Sequence, residues 1–165
     1  RELAGKIRVL LKSLFEEVIL MPDRYNDLYE EMKRESKHLN HILAWGHARA
    51  IESILSRKNA KCAVADQFGD ERYIQSRLME KGKGLELIQI PKGEKYVAVA
   101  AASILARDSF LTRLDRLSRE YASPLSRGAS EAVLRAAREF VAQHGEESLG
   151  KVAKLHHRTT AKVLA

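Results

Sequence analysis

The sequence has little of several features that mark whole classes of protein. It contains one cysteine in 165 residues, Cys62, which excludes an internal disulfide, and the apolar neighbours of Cys62 predict a small core side chain rather than a nucleophile. No apolar run approaches the roughly 18 residues that a membrane span needs, and residues 1–6 lack the apolar core of a signal peptide. These absences favour a cytoplasmic protein that does not bind membranes.

Glycine and proline are also scarce, with nine and three residues respectively. This composition leaves little room for linkers or disordered tracts, and the length is that of about one domain. We therefore expect residues 1–165 to form a single domain.

The 29 Lys and Arg residues exceed the 22 Asp and Glu residues, giving a formal net charge of +7. An excess of this sign suits a polyanionic partner such as nucleic acid.

Hydrophobic periodicity predicts an α/β chain rich in helices. Short apolar runs that end at Pro, Gly or Asp predict strands over residues 16–21, 62–65 and 85–90. Helical spacing predicts helices over residues 3–14, 23–33, 40–55 with Asn40 as cap, 69–79, 97–121, 130–143 and 146–153, and a last helical segment through residue 164. The strands near residues 62 and 86 should pair in parallel through a crossover helix. Three strands make a small sheet, and it looks incomplete on its amino-terminal side.

Two acidic residues follow neighbouring strands of this predicted sheet. Asp66 ends the strand that begins at Cys62, and Glu94 comes shortly after the strand that ends at Ile90. Ligands of open α/β sheets gather beyond the carboxyl ends of the strands, so the two carboxylates should reach the same edge. Convergent oxygen ligands are what Mg²⁺ or Mn²⁺ requires, and such a metal site could serve phosphodiester hydrolysis.

Spacing alone leaves other roles open for these acids. Acids that follow strands are also common as helix caps, and Asp70 is expected to cap its own helix. Asp108 is a rival for Glu94, but it lies about four turns into the next helix, roughly 20 Å along the axis, so both cannot serve one centre. An exposed helical side chain is the interpretation that we favour for Asp108.

Three stretches of the chain together resemble bacterial ribonuclease HIII. They are Leu43–Glu52 with its Trp-Gly-His segment, Ala65–Glu71 with its Asp-Gln-Phe motif, and the alanine-rich Tyr96–Arg107. The part of the last stretch that ends in Ser103–Ala106 is shared with ribonuclease HII, whereas the Asp-Gln-Phe motif and the Trp-Gly-His segment are typical of the HIII branch. The tail is similar as well, at 128–130 and 154–156, so the resemblance covers nearly the whole chain.

The resemblance implies a ribonuclease H-like α/β fold and an endonuclease that hydrolyses the RNA strand of RNA/DNA hybrids with Mg²⁺ or Mn²⁺. Of the four acids that hold the metals in that family, two match residues here, Asp66 and Glu94, as catalytic and metal-binding residues. The other two form an Asp-Glu pair near a Gly-Lys-Gly loop on the family's first strand, and no such pair occurs before Ala63 in this sequence. The one Asp-Glu dipeptide here, Asp70-Glu71, belongs to the Asp-Gln-Phe motif. We therefore expect a carboxyl-terminal part of the enzyme that is inactive, or nearly so, without an amino-terminal segment or a complementary chain.

Basic residues near these positions are candidates for binding nucleic acid. Lys92 and Lys95 flank Glu94 and could contact substrate phosphates, although solvated lysines beside a turn are the alternative. Lys154 and Arg158 lie in a stretch from Lys151 to Lys162 that has no acid. That stretch either follows a hybrid duplex or is a solvated helical face. Two further functions stay open for the chain: a module that binds nucleic acid without cleaving it, and a structural fragment that requires a partner chain.

Overall fold

The structure is a computed structural model that describes all of residues 1–165. Residues 1–19 and 36–109 form one compact unit, and residues 20–35 and 110–165 form a second. No helix is both long enough and apolar enough to cross a bilayer. The helices are α1 (Glu2–Leu11), α2 (Pro22–Arg34), α3 (Asn40–Leu55), α4 (Arg72–Gln75), α5 (Val97–Glu120), α6 (Glu131–His144), α7 (Glu146–Val152) and α8 (Arg158–Leu164), with one 3-10 helix (Gly93–Lys95).

The sheet of the first unit has two strands, β1 (Cys62–Asp66) and β2 (Glu86–Ile90). They pair in parallel, in a register that runs from Cys62 opposite Glu86 to Asp66 opposite Ile90. This confirms the predicted parallel pairing. The strand predicted over residues 16–21 is wrong, since that segment has no regular secondary structure and belongs to no sheet. An apolar run becomes a strand only when a neighbouring backbone satisfies its hydrogen-bonding groups, and β1 pairs with β2 alone.

Small side chains allow α3 to lie close to the sheet. Ala44 of α3 and Ala65 of β1 are buried in one cluster with Ile74 and Leu87.

Two local predictions in this unit are wrong. Asn40 is the first residue of α3 rather than its cap, and no side chain caps this helix. Cys62 is exposed rather than part of the core, because it opens β1 at the edge of this cluster.

The crossover between the strands is less helical than periodicity predicts. The helix expected over residues 69–79 is reduced to the single turn α4, and turns follow it. The backbone is redirected by a distant carboxylate: Oε1 of the buried Glu52 accepts the N–H groups of Met79 and Gly82 at 2.7 and 2.8 Å. A long-range contact of this kind leaves no trace in local periodicity.

All regular secondary structure of the second unit is helical. The hydroxyl of Ser130 caps α6 by accepting the N–H of Val133, and Phe140 of α6 is fully buried. The side chain of Asn26 in α2 joins this helix to the end of α7 and the loop after it, through bonds to Gly150, Ala153 and Leu155. This unit agrees with the helical carboxyl-terminal part that periodicity predicts. Residues 1–165 divide into two compact units, and their assignment to a single domain stays a prediction.

Candidate metal-binding site and nucleic-acid-binding residues

The first candidate ligand, Asp66, is the last residue of β1 and is exposed. Its Oδ1 accepts the backbone N–H of Gly93 at 2.8 Å. The next residue, Gln67, donates its backbone N–H to the carbonyl of Ile90 at 3.1 Å, at the end of β2. The carboxyl ends of both strands are therefore tied together, and one oxygen of Asp66 remains free to bind another group.

Gly93 allows the second candidate ligand to come to the same edge. A Cβ at this position would lie 3.1 Å from the Cα of Asp66 and 3.3 Å from a methyl group of Val99, so a side chain does not fit without displacing its neighbours. Lys92 precedes it in a left-handed conformation, with φ 56° and ψ 48°. This turn starts the 3-10 helix in which Glu94 is exposed. Asp66 and Glu94 therefore follow adjacent strand ends, as the sequence predicts.

The donor set at this edge fits a hard divalent cation in part. Two carboxylates are oxygen ligands, and Mg²⁺ is commonly bound by one or two carboxylates together with substrate phosphates rather than by an all-protein cage. Within residues 1–165, no group of three or more His, Cys, Asp or Glu side chains is placed to hold a metal ion. Asp66 and Glu94 can therefore supply a share of a metal site, with the remaining ligands provided by other groups.

The structure gives the rival acids structural roles. The carboxylate of Asp108 accepts a hydrogen bond from Arg8 at 2.6 Å, and its side chain is only 11% exposed. This pairing lowers the pKa of Asp108. The expectation of an exposed helical Asp108 is therefore wrong, because Arg8 of α1 covers it. Asp70 accepts the backbone N–H of Arg72, the first residue of α4, but the N-cap residue of this helix is Glu71, so the prediction that Asp70 is the cap is wrong. The guanidinium of Arg72 lowers the pKa of Asp70 to about 2.

One aromatic contact beside Asp66 is not visible in the sequence. The ring of His47 in α3 stacks on Phe68, with centroids 5.1 Å apart and an interplanar angle of 22°, and burial lowers the pKa of His47. Phe68 also packs against the buried cluster around Ala65. Phe68 of the Asp-Gln-Phe motif is therefore packed between His47 and the cluster around Ala65. The sequence alone does not show this contact, because it depends on how α3 packs against β1.

The basic candidates differ in how firmly they are held. Lys92 and Lys95 are exposed on either side of Glu94. Arg158 is the exposed first residue of α8. The Nζ atom of Lys154 lies 4.3 Å from the ring centroid of Tyr25, and burial lowers the pKa of Lys154. Lys154 therefore has a defined position, whereas nothing in the structure fixes Lys92 or Lys95.

Comparison with protein-family models matches residues 1–160 to the family described as ribonuclease HII. The chain belongs to the ribonuclease HII family. Curated relatives are named ribonuclease HIII. The protein from Protochlamydia amoebophila (strain UWE25) is 38% identical over 164 residues, which is 99% of this chain and 52% of the relative. The protein from Chlamydia pneumoniae is 39% identical over 144 residues, which is 86% of this chain and 47% of the relative.

Solved structures give the same result for the fold. A crystal structure of Bst-RNase HIII in complex with Mn²⁺ matches with a TM-score of 0.76 and 29% identity, over 89% of this chain and 48% of that one. A crystal structure of a mutant of Bst-RNase HIII matches with a TM-score of 0.81 and 26% identity, over 98% of this chain and 54% of that one. These matches confirm the resemblance to ribonuclease HIII and the α/β ribonuclease H-like fold. This ribonuclease HII family member spans about half the length of the curated relatives that it matches.

Proposed function

We propose that this chain supplies part of the active site of an endonuclease that hydrolyses the RNA strand of RNA/DNA hybrids with Mg²⁺ or Mn²⁺. The observation that carries the proposal is the bond between Asp66 and Gly93, which ties the end of β1 to the residue before Glu94. Membership of the ribonuclease HII family supports it, as does the Mn²⁺ bound to a structural relative. A cytoplasmic location belongs to the same proposal.

In this proposal Asp66 and Glu94 hold the metal through their exposed carboxylates. When bound, the metal would supply stabilisation of the attacking water and of the leaving oxygen of the phosphodiester. The N–H of Gly93 occupies Oδ1 of Asp66 and fixes the direction of the carboxylate, which leaves Oδ2 free to bind the metal. Lys92 and Lys95, beside Glu94, contact substrate phosphates and favour binding of the polyanion.

The remaining metal ligands come, in this proposal, from an Asp-Glu pair on another segment or chain. The chain offers two acids at the site and no group of three, while its relatives are about twice as long. A site held by only half of its carboxylates should bind metal weakly. We therefore expect residues 1–165 alone to cleave hybrids very slowly or not at all, and we expect addition of the segment with the Asp-Glu pair to restore cleavage.

Substitution of the two acids tests the proposal. With the complementary segment supplied, Asp66→Asn and Glu94→Gln should each lower the rate of metal-dependent hybrid cleavage by more than the roughly 10- to 100-fold that loss of an outer-shell partner costs. The melting temperatures should stay close to that of the unchanged protein, because both side chains are exposed. Asp70→Asn is the matched control, since Asp70 is an exposed acid that pairs with Arg72. Full activity in either site variant would refute the site.

The candidate metal site has only two carboxylates, and this favours a second function, which is binding of nucleic acid without cleavage. The net charge of +7 would support it, and the missing carboxylates would then be the natural state. An assay of the longest natural product on a labelled hybrid, with Mg²⁺ and with Mn²⁺, separates the two. Binding without any cut favours the binding module, whereas metal-dependent cutting favours the endonuclease. A chain that only self-associates, as seen by size-exclusion chromatography, would indicate a fragment that needs a partner.

A further inference from the structure

One lysine of the second unit is held in an aromatic setting. Lys154 lies in the loop between α7 and α8, with its Nζ atom 4.3 Å above the ring of Tyr25 in α2. The ring of His156 lies 4.6 Å from that of Tyr29 and 4.0 Å from that of His157. We call these four rings and Lys154 the aromatic cluster. A cation over an aromatic face is attracted by the ring quadrupole, so the position of the ammonium group is restricted.

The loop that carries Lys154 is fixed on both sides of it. The side-chain amide of Asn26 donates to the carbonyls of Gly150 and Ala153, both at 2.9 Å. Its oxygen accepts the N–H of Leu155 at 3.0 Å. The residues immediately before and after Lys154 are therefore bound to α2. A lysine on such a loop loses less conformational entropy on binding a ligand than a lysine on a free surface.

The aromatic cluster lacks a negative charge. Lys154 forms no ion pair, and burial, with no acid to oppose it, lowers its pKa. The neighbouring charged or titratable residues His156, His157 and Arg158 are basic. Tyr25 is only 4% exposed, and its hydroxyl has no hydrogen-bond partner, nor does Nδ1 of His156. Lys154 is exposed, so its ammonium group is accessible to a ligand, and an anionic ligand would supply the counter-charge that the cluster lacks.

We propose that Lys154, held over Tyr25, is a fixed contact to a phosphodiester group of a nucleic-acid backbone. The proposal rests on the proposed function, in which the partner is an RNA/DNA hybrid. A compact ammonium group carries no information on sequence, and phosphate contacts serve to position the protein on the duplex. Lys154 should therefore contribute equally to hybrids of any sequence, and its contribution should depend on salt because each contact releases counterions.

The salt dependence of binding tests this assignment. Fluorescence anisotropy of a labelled RNA/DNA hybrid in EDTA measures Kd between 50 and 200 mM salt without cleavage, roughly the range in which counterion release is large. Lys154→Gln should reduce the slope of log Kd against log salt by about 0.9, the value for one phosphate contact. Lys151→Gln is the matched control, since Lys151 is an exposed lysine of α7 outside the aromatic cluster, and it should leave the slope unchanged. Equal slopes for the two variants would overturn the proposal.

Variants of Tyr25 test whether the ring is what holds the lysine. Tyr25→Phe keeps an aromatic face and should retain the unchanged slope, whereas Tyr25→Leu should reduce the slope as Lys154→Gln does. A folded Tyr25→Leu protein with the unchanged slope would contradict the role of the ring. Should Tyr25→Leu fail to fold by circular dichroism, the pair Lys154→Gln and Tyr25→Phe decides: a reduced slope in the first and an unchanged slope in the second support the proposal, and any other result overturns it.

Two further experiments distinguish a phosphodiester contact at Lys154 from binding of free phosphate and from binding at the metal site. Inorganic phosphate at constant ionic strength should not displace the hybrid; displacement from the unchanged protein but not from Lys154→Gln would assign the site to free phosphate instead. Asp66→Asn and Glu94→Gln should retain the unchanged slope in EDTA even where they abolish cleavage. For the unchanged protein with the complementary segment supplied, a normal salt slope without metal-dependent cleavage refutes the endonuclease and leaves the Lys154 contact intact. Cleavage together with equal slopes for Lys154→Gln and Lys151→Gln refutes the Lys154 contact and leaves the endonuclease intact.

Discussion

At the scale of single residues, the candidate site depends on a close backbone approach. The Cα of Gly93 has no side chain, and its N–H bonds to Oδ1 of Asp66 at 2.8 Å. Because Glu94 is the next residue, the same approach sets where that carboxylate leaves the backbone. The glycine therefore decides whether two acids that are far apart in the chain reach one edge of the sheet.

Substitution of Gly93 by alanine should disturb this approach. The added Cβ would lie 3.1 Å from the Cα of Asp66, so the strand end must shift by a few tenths of an ångström. We expect a loss of about 1 to 3 kcal/mol in stability and weaker Mn²⁺ binding, measured by urea unfolding and by titration. Gly84→Ala is the control, because nothing lies within 4 Å of a Cβ there. Equal effects of the two substitutions would show that Gly93 has no special role.

Glu52 acts on the crossover in a similar way. It is buried, and its Oε1 accepts two backbone N–H groups, from Met79 and Gly82. Glu52→Ala leaves both donors without a partner and should lower the free energy of unfolding by roughly 2 to 3 kcal/mol. Glu52→Gln keeps an acceptor without the charge and should lower it by less. Chemical denaturation measures both, and Glu80→Ala, at an exposed acid in the same crossover, should have almost no effect.

At the scale of elements, the second unit depends on one side chain that joins α2 to the loop after α7. Asn26→Ala removes three hydrogen bonds at once. We expect about 1 to 3 kcal/mol lower stability, together with faster hydrogen exchange at the amide of Leu155. Glu30→Ala, at an exposed position of the same helix, serves as the comparison. Unchanged protection of Leu155 in Asn26→Ala would contradict the role given to Asn26.

Elements that depend on local pattern are those that the sequence predicts well. Apolar runs and breakers locate β1 and β2, and Ser130 marks the start of α6 because its hydroxyl caps that helix. The strand over residues 16–21 is absent because pairing depends on another strand and not on composition. The helix after Asp70 stops after one turn because Glu52, distant in sequence, binds the backbone that follows. Both failures arise from long-range contacts.

The candidate functional residues also fall into those that local sequence predicts and those that only the packing reveals. Asp66 and Glu94 are found from strand ends and family motifs, and the fold brings their backbones to one edge. The stack of His47 on Phe68 and the position of Lys154 over Tyr25 require the packing of elements that are far apart in sequence. Cys62 shows the limit at a single position, since its apolar neighbours indicate burial but the start of β1 is exposed.

At the scale of the whole molecule, the histidines should make stability depend on pH. Burial lowers the pKa of His41, and nearby Arg77, Lys37 and His38 lower it further; the pKa values of His47 and His156 are also lowered. Near pH 6 the unfolded chain therefore binds more protons than the folded chain, so stability is complete above the ordinary pKa of 6.5 and falls as pH decreases below it.

Thermal unfolding at pH 7.5, 6.0 and 5.0 measures this loss. His41→Phe should flatten the profile, because it keeps the ring contact with Tyr73 and removes the titrating group. His38→Gln, at an exposed position, removes only the smallest of the influences on His41 and should change the profile much less than His41→Phe. At still lower pH, Asp108 loses its bond to Arg8 as it is protonated, and stability should fall again. A melting temperature that rises between pH 7.5 and 5.0 would contradict this account.

We propose that Asp66 and Glu94 hold one divalent metal at the carboxyl ends of β1 and β2. Addition of substoichiometric Mn²⁺ to the ¹⁵N-labelled 165-residue chain tests it most directly, because the paramagnetic ion broadens the amide signals of nearby residues. We expect the signals of Asp66, Gln67, Gly93 and Glu94 to broaden first, and we expect Asp66→Asn to abolish this effect. Selective broadening elsewhere in the chain, with these four signals unchanged, would contradict it.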